Sequence, residues 1–191
     1  VSSTCSDNID LQISDLAALA ELAQREGITV GYEALAWGRH VSRFREAWQR
    51  VAGVDNPALG LVLDSFHILA RGDSLGNLDD IPVEKISFLQ LADAPLMKMD
   101  VLEWSRHYRC FPGQGELPVV AFARELTAHG YRGPWSLEVF NDGFRALPGA
   151  PTAKDGWRSL LRLEEQTWSA HETDDAALFH SSPLPTYQGV E

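Results

Sequence analysis

One pattern, repeated four times, constrains this sequence more than any other feature. Short apolar runs each end on an oxygen-bearing side chain: "TVGYEA" on Glu33, "LVLDS" on Asp64, "SFLQLA" on Gln90 and "WSLEVF" on Glu138. A buried amide or carboxylate left without partners costs about 1–3 kcal/mol. A single such residue reads as a satisfied loop or cap position. Four of them, at the same place in four strands, need a common explanation.

The stretches between these runs have helical spacing. Residues 12–26 put Ile13, Leu16, Leu19, Leu22 and Ala23 on one face, and Gly27 stops the run. Residues 40–52 do the same with Val41, Phe44, Trp48 and Val51, and further helices are expected over 117–130 and 154–168. Strands are expected at 28–34, 59–65, 86–92 and 135–140, with a loop region between the third strand and the third helix. Helices alternating with near-continuous apolar strands predict an α/β chain with a parallel sheet. Such a sheet is either open and doubly wound or part of a barrel. No GxGxxG or GxxxxGK[ST] follows any strand, so nucleotide-binding open sheets lack their main signal.

In a barrel of parallel strands the C-terminal strand ends converge on the active site. Carboxylates brought together repel and push one another's pKa up, and a divalent cation is the simplest remedy. Glu33, Asp64 and Glu138 with the carbonyl of Gln90 make an oxygen set suited to Mg²⁺ or Mn²⁺, with Co²⁺ also acceptable. The alternative is a hydrogen-bonded polar network with no ion. His67, three residues past Asp64, suits proton transfer, or else orients a ligand from behind. Arg109, ahead of the Pro112–Gly113–Gln114–Gly115 turn, is the candidate for a substrate carboxylate or phosphate, with a solvated surface role as its alternative.

Composition narrows the function classes. The 191 residues are 45% hydrophobic and 23% charged, enough apolar material for one sizeable core. A net charge of −11 with no Lys/Arg block disfavours nucleic acid as a partner. No apolar run approaches the roughly 18 residues that a membrane helix requires. Cys5 and Cys110 are isolated and read as free thiols of a reducing compartment, so the expected location is the cytoplasm. Residues 1–170 read as the domain and 171–191 as a polar linker, and both ends read as cuts through a longer protein.

The phrases "VGYEALAWGRHV", "LGLVLDSFHILARGD", "FLQLADAP", "HYRCFPGQGELP" and "SLEVFNDGFR" resemble the xylose isomerase-like, or AP-endonuclease-2-like, TIM-barrel superfamily. Within it they are most similar to bacterial 3-dehydroshikimate dehydratases fused to a 4-hydroxyphenylpyruvate-dioxygenase-like domain, over residues 1–170. The resemblance implies the C-terminal half of a (β/α)8 barrel, strands five to eight with their helices, and a tail leading into the second domain. It implies a metal at Glu33, Asp64, Gln90 and Glu138, with Gln90 standing where relatives more often carry His. His67 is then the first choice for proton transfer, metal-bound Glu33 or Glu138 its rival, and Arg109 the holder of the substrate carboxylate.

The implied reaction is dehydration of 3-dehydroshikimate to protocatechuate through a metal-stabilised enolate. The alternatives are a sugar or inosose isomerase, epimerase or dehydratase of the same superfamily, or a non-catalytic metal-binding barrel piece. A half barrel leaves two sheet edges open. This segment alone is therefore expected to be inactive, poorly soluble, or paired as a homo-oligomer.

Overall fold

Four parallel strands in sequence order, β1-β2-β3-β4, form the sheet. The computed structural model describes residues 1–169 except Ser3 and Asn77; the expected linker at 171–191 lies outside the described residues. The two central strands, β2 (Leu59–Asp64) and β3 (Ile86–Leu91), start and finish within a residue of the apolar runs that predict them. Every residue of β2 is buried, which is why its sequence is apolar without alternation. The outer strands are shorter than expected, β1 being Val30–Tyr32 and β4 Trp135–Leu137. At β1 the cause is local: the Ile28 amide donates to Ala23 O and so finishes the preceding helix instead of joining the sheet.

Caps set the helix bounds. α1 (Ile9–Arg25) starts earlier than its periodicity suggests because Asn8 accepts from the Leu11 amide. α2 (Phe44–Val54) begins where the Glu46 carboxylate accepts the amides of Ser42 and Arg43. α3 (Ser65–Leu69) is a short helix capped by Asp64 itself. A 3₁₀ turn, Val83–Lys85, leads into β3. α4 (Val101–His107) lies in the segment expected to be loop, started by the Asp100 carboxylate accepting from Leu102 and Glu103. α5 (Val119–Ala128), the single turn α6 (Asp142–Arg145) and α7 (Gly149–Trp168) complete the chain. α1 packs on α2, α5 packs on α7, and one continuous apolar cluster joins the helices to the sheet. Among the described residues no helix is long and apolar enough to cross a membrane.

One buried carboxylate positions the loop that carries Arg109. Asp93, two residues past β3, forms an antiparallel bridge with Cys110. Its Oδ1 accepts from the amides of Ala94 (2.8 Å) and Leu117 (2.9 Å), and its Oδ2 from Gly113 (3.0 Å) and Gly115 (2.9 Å). Gly113 has φ +85°, and a Cβ on Gly115 would collide with Asp93 and the Ala94 carbonyl. The loop thus closes onto the end of β3 only with glycine at both positions. On its other side the Arg109 amide donates to Phe140 O (3.1 Å) and Asn141 Nδ2 donates to Arg109 O (2.9 Å). Arg109 is held between the ends of β3 and β4. Asp93→Ala strands these amides, and urea unfolding should register a loss on the order of 3 kcal/mol. An unchanged unfolding midpoint would show that water replaces the carboxylate at no cost.

Candidate functional site

Asp64 ends β2 and caps α3: its Oδ1 accepts from the amides of Phe66 (2.7 Å) and His67 (3.2 Å). That bond turns the chain so that His67 faces the same strand ends as Asp64. Glu33 and Glu138 each follow the last residue of an outer strand, and Gln90 pairs in register with Asp64 on one side and Ser136 on the other. One ligand-capable atom from each of Glu33, Asp64, His67 and Glu138 lies within 4.8 Å of all the others. Glu33, Asp64, Glu138 and His67 are therefore neighbours, and Gln90 adjoins them through its hydrogen bond to Glu138.

Crowding of like charge dominates the electrostatics. Burial, with the Asp64 and Glu138 carboxylates beside it, pushes the Glu33 carboxyl up to about 8. Burial and Asp64 raise Glu138 as well. Arg109 supplies the opposing charge from a fully buried position. Its Nη1 donates to Asp64 Oδ2 (2.9 Å), Glu138 Oε2 (2.9 Å) and Glu138 O (3.1 Å). Its Nε and Nη2 donate to Ser105 Oγ at 3.1 and 2.7 Å, and its Cζ lies 4.5 Å over the Phe66 ring. The guanidinium expected to reach a substrate is here spent on the cluster's own carboxylates. Gln90 likewise enters as a donor, with Nε2 bonded to Glu138 Oε1 at 2.9 Å.

The donor set fits a divalent cation. Glu33 Oε1 is buried and has no hydrogen-bond partner. It is an acceptor oxygen without a donor, facing two further carboxylates and an imidazole. Glu33, Asp64 and Glu138 could hold a hard cation there, with His67 at its border.

His67 is held neutral. Burial and the Arg109 guanidinium push its pKa down to about 3. The Ala36 amide donates to Nδ1 (3.1 Å), and Arg109 Nη2 lies 3.2 Å from Nε2. An imidazolium can accept at neither nitrogen. A neutral imidazole accepts at one nitrogen only, and Nδ1 takes the backbone Ala36 N–H. The 3.2 Å approach of Arg109 Nη2, itself only a donor, is therefore not a hydrogen bond, and the proton sits on Nε2. That nitrogen points at the carboxylates, 3.8 Å from Glu33 Oε1 and 3.9 Å from Asp64 Oδ2. The geometry suits a neutral hydrogen-bond donor better than a base.

Sequence reasoning missed Ser105, Asp93, Trp37 and the Ala36 amide. Ser105 stands four residues before Arg109, a helical spacing that becomes visible once 101–107 is read as a helix. Trp37, packed edge-on to His67 with ring centroids 4.8 Å apart, has no periodic signal.

The strand-end cluster lies at the carboxyl ends of a parallel α/β sheet, where (β/α)8 barrels carry their active sites. Residues 2–163 match the model of the xylose isomerase-like TIM barrel family, and the chain belongs to that family. A 3-dehydroshikimate dehydratase of Pseudomonas putida is 52% identical over 186 residues, covering 95% of this chain and 29% of that protein. The Pseudomonas aeruginosa 3-dehydroshikimate dehydratase is 57% identical over the same shares. A solved xylose isomerase-like TIM barrel/4-hydroxyphenylpyruvate dioxygenase fusion protein superposes with a TM-score of 0.85 at 50% identity, covering 100% of this chain and 32% of that one. The chain thus spans less than a third of the length of each of these three relatives.

Because Glu33 titrates near 8, a cation must displace a proton below that pH. Mn²⁺ affinity should tighten as pH rises towards 8 and level off above it. Calorimetry in buffers of differing ionisation enthalpy should detect the released proton; pH-independent affinity without proton release would mean that Glu33 is already ionised.

Proposed function

We propose that the chain is strands five to eight, with their helices, of a (β/α)8 barrel whose intact protein dehydrates 3-dehydroshikimate to protocatechuate. The observation that carries this reading is the unpartnered Glu33 Oε1, set among carboxylates at the strand ends of a chain 52–57% identical to 3-dehydroshikimate dehydratases. Residues 1–170 are then the barrel part and 171–191 the way into a second domain. β4 has no strand on its outer edge among the described residues, which is where the rest of a closed barrel would pair. Two free thiols, Cys5 and Cys110, accord with a cytoplasmic enzyme.

Glu33, Asp64 and Glu138 would hold Mg²⁺, Mn²⁺ or Co²⁺, and a turn of the Gln90 amide would bring its carbonyl to the same point. The bound cation supplies Lewis-acid polarisation of the ring ketone. Arg109 keeps Asp64 and Glu138 in place and limits their repulsion. The reaction removes the proton α to the ketone and expels the β-hydroxyl as water. Glu33 is the base, its Oε1 being buried among the site groups and without a hydrogen-bond partner. His67 then donates Nε2–H to the oxygen that gains charge, a role a neutral imidazole fills without changing its own protonation. The proton taken by Glu33 leaves with the hydroxyl, and aromatisation draws the second half forward.

Intact protein given 3-dehydroshikimate with each of the three metals should generate a catechol absorbance that a chelator abolishes. No aromatic product with any of them would sink the dehydratase reading. Glu138→Ala should lose metal and turnover together. His67→Ala should keep metal while kcat falls by about 10²–10³.

A further inference from the structure

Arg106 and Arg109 lie three residues apart at the end of α4, and their guanidinium groups have opposite fates. Arg109 is buried, with its N–H groups committed to the cluster. Arg106 is exposed, and its Cζ stands 5.6 Å from the Trp37 ring centroid and 5.2 Å from that of Phe140. Trp37 follows β1 and Phe140 follows β4, the two outer strands of the sheet. The Arg106 side chain therefore bridges the loops that leave opposite sides of the cluster. Trp37 also packs against His67, which places this bridge next to the reacting groups. Among the described residues its guanidinium has no ion pair or hydrogen bond, only two ring faces. Arg145 also lies over Phe140, but it is paired with Asp142.

We infer that Arg106 is the residue that binds the carboxylate of the substrate. This rests on the dehydratase reading above and deepens it. An anionic substrate approaching a chain of net charge −11, with three carboxylates at the site, needs a cation that the cluster has not already used. Contact with two rings confines the guanidinium and leaves N–H groups free to take a carboxylate bidentately. Lysine has the charge without the plane. Arg106 sets specificity by selecting acids over neutral keto-polyols, while Arg109 is a positioning residue behind the carboxylates.

The test uses intact, metal-loaded protein with Arg106→Gln and Arg106→Lys, whose folding is checked by circular dichroism. Arg106→Gln should raise KM for 3-dehydroshikimate by about 10- to 100-fold while kcat stays within a few-fold, with Arg106→Lys in between. Mn²⁺ affinity should not change in either variant. The wild type should favour the free acid over its methyl ester by a similar factor, and Arg106→Gln should erase that preference. An unchanged KM, or an unchanged acid-to-ester ratio, would overturn the assignment. If the wild type makes no aromatic product, the dehydratase reading fails separately. Calorimetric titration of protocatechuate then decides the Arg106 role, with equal affinities in wild type and Arg106→Gln counting against it.

Discussion

The ion pair between Arg109 and the Asp64 and Glu138 carboxylates is the interaction on which the site depends. Three carboxylates collected at the end of an apolar sheet could not remain together ionised without a compensating charge. Buried pairs of this kind add little net stability compared with apolar packing, but losing one partner typically costs about 3–5 kcal/mol. Much of the surrounding structure serves to deliver that guanidinium. Asp93 fastens the loop on one side, the Phe140 carbonyl and Asn141 amide hold the backbone on the other, and Ser105 accepts from the two nitrogens turned away from the acids.

One arginine does not neutralise the cluster fully, and Glu33 carries the deficit. Its folded pKa, near 8, stands above the unfolded carboxyl value, so its contribution to stability is complete below about pH 4.5 and is lost as pH rises through 8. A cation that binds the ionised cluster reverses this trend by mass action. The same buried oxygen links metal affinity, folding stability and readiness to take a proton.

How much of this could be read from the sequence varied with the physics of each element. β2 and β3 were legible almost to the residue: β2 is buried throughout and reads as an apolar run, and β3 keeps Ile86, Leu89 and Leu91 in the core. β1 and β4 are edge strands of three residues, and their apolar flanks serve helix ends and loops instead. α4 was not legible: seven residues offer too few turns for a periodic face, and its start rests on the Asp100 cap. Glu33, Asp64, Gln90 and Glu138 could be found because strand position alone places them. The part played by Arg109 could not, since its partners Asp64 and Glu138 are 45 and 29 residues away. The neutral state of His67 was equally hidden, resting on burial, on the distant Arg109 guanidinium and on a backbone amide that no residue type announces.

That amide has an evolutionary side. Ala36 holds His67 through its main-chain N–H, so the contact does not depend on a side-chain donor, although position 36 is fully buried and takes only a small residue. Proline alone lacks the donor. The tautomer of the imidazole is thus set by the path of the loop after β1, while its neutrality also needs burial and the Arg109 guanidinium. The contact would drift with changes in loop length or direction.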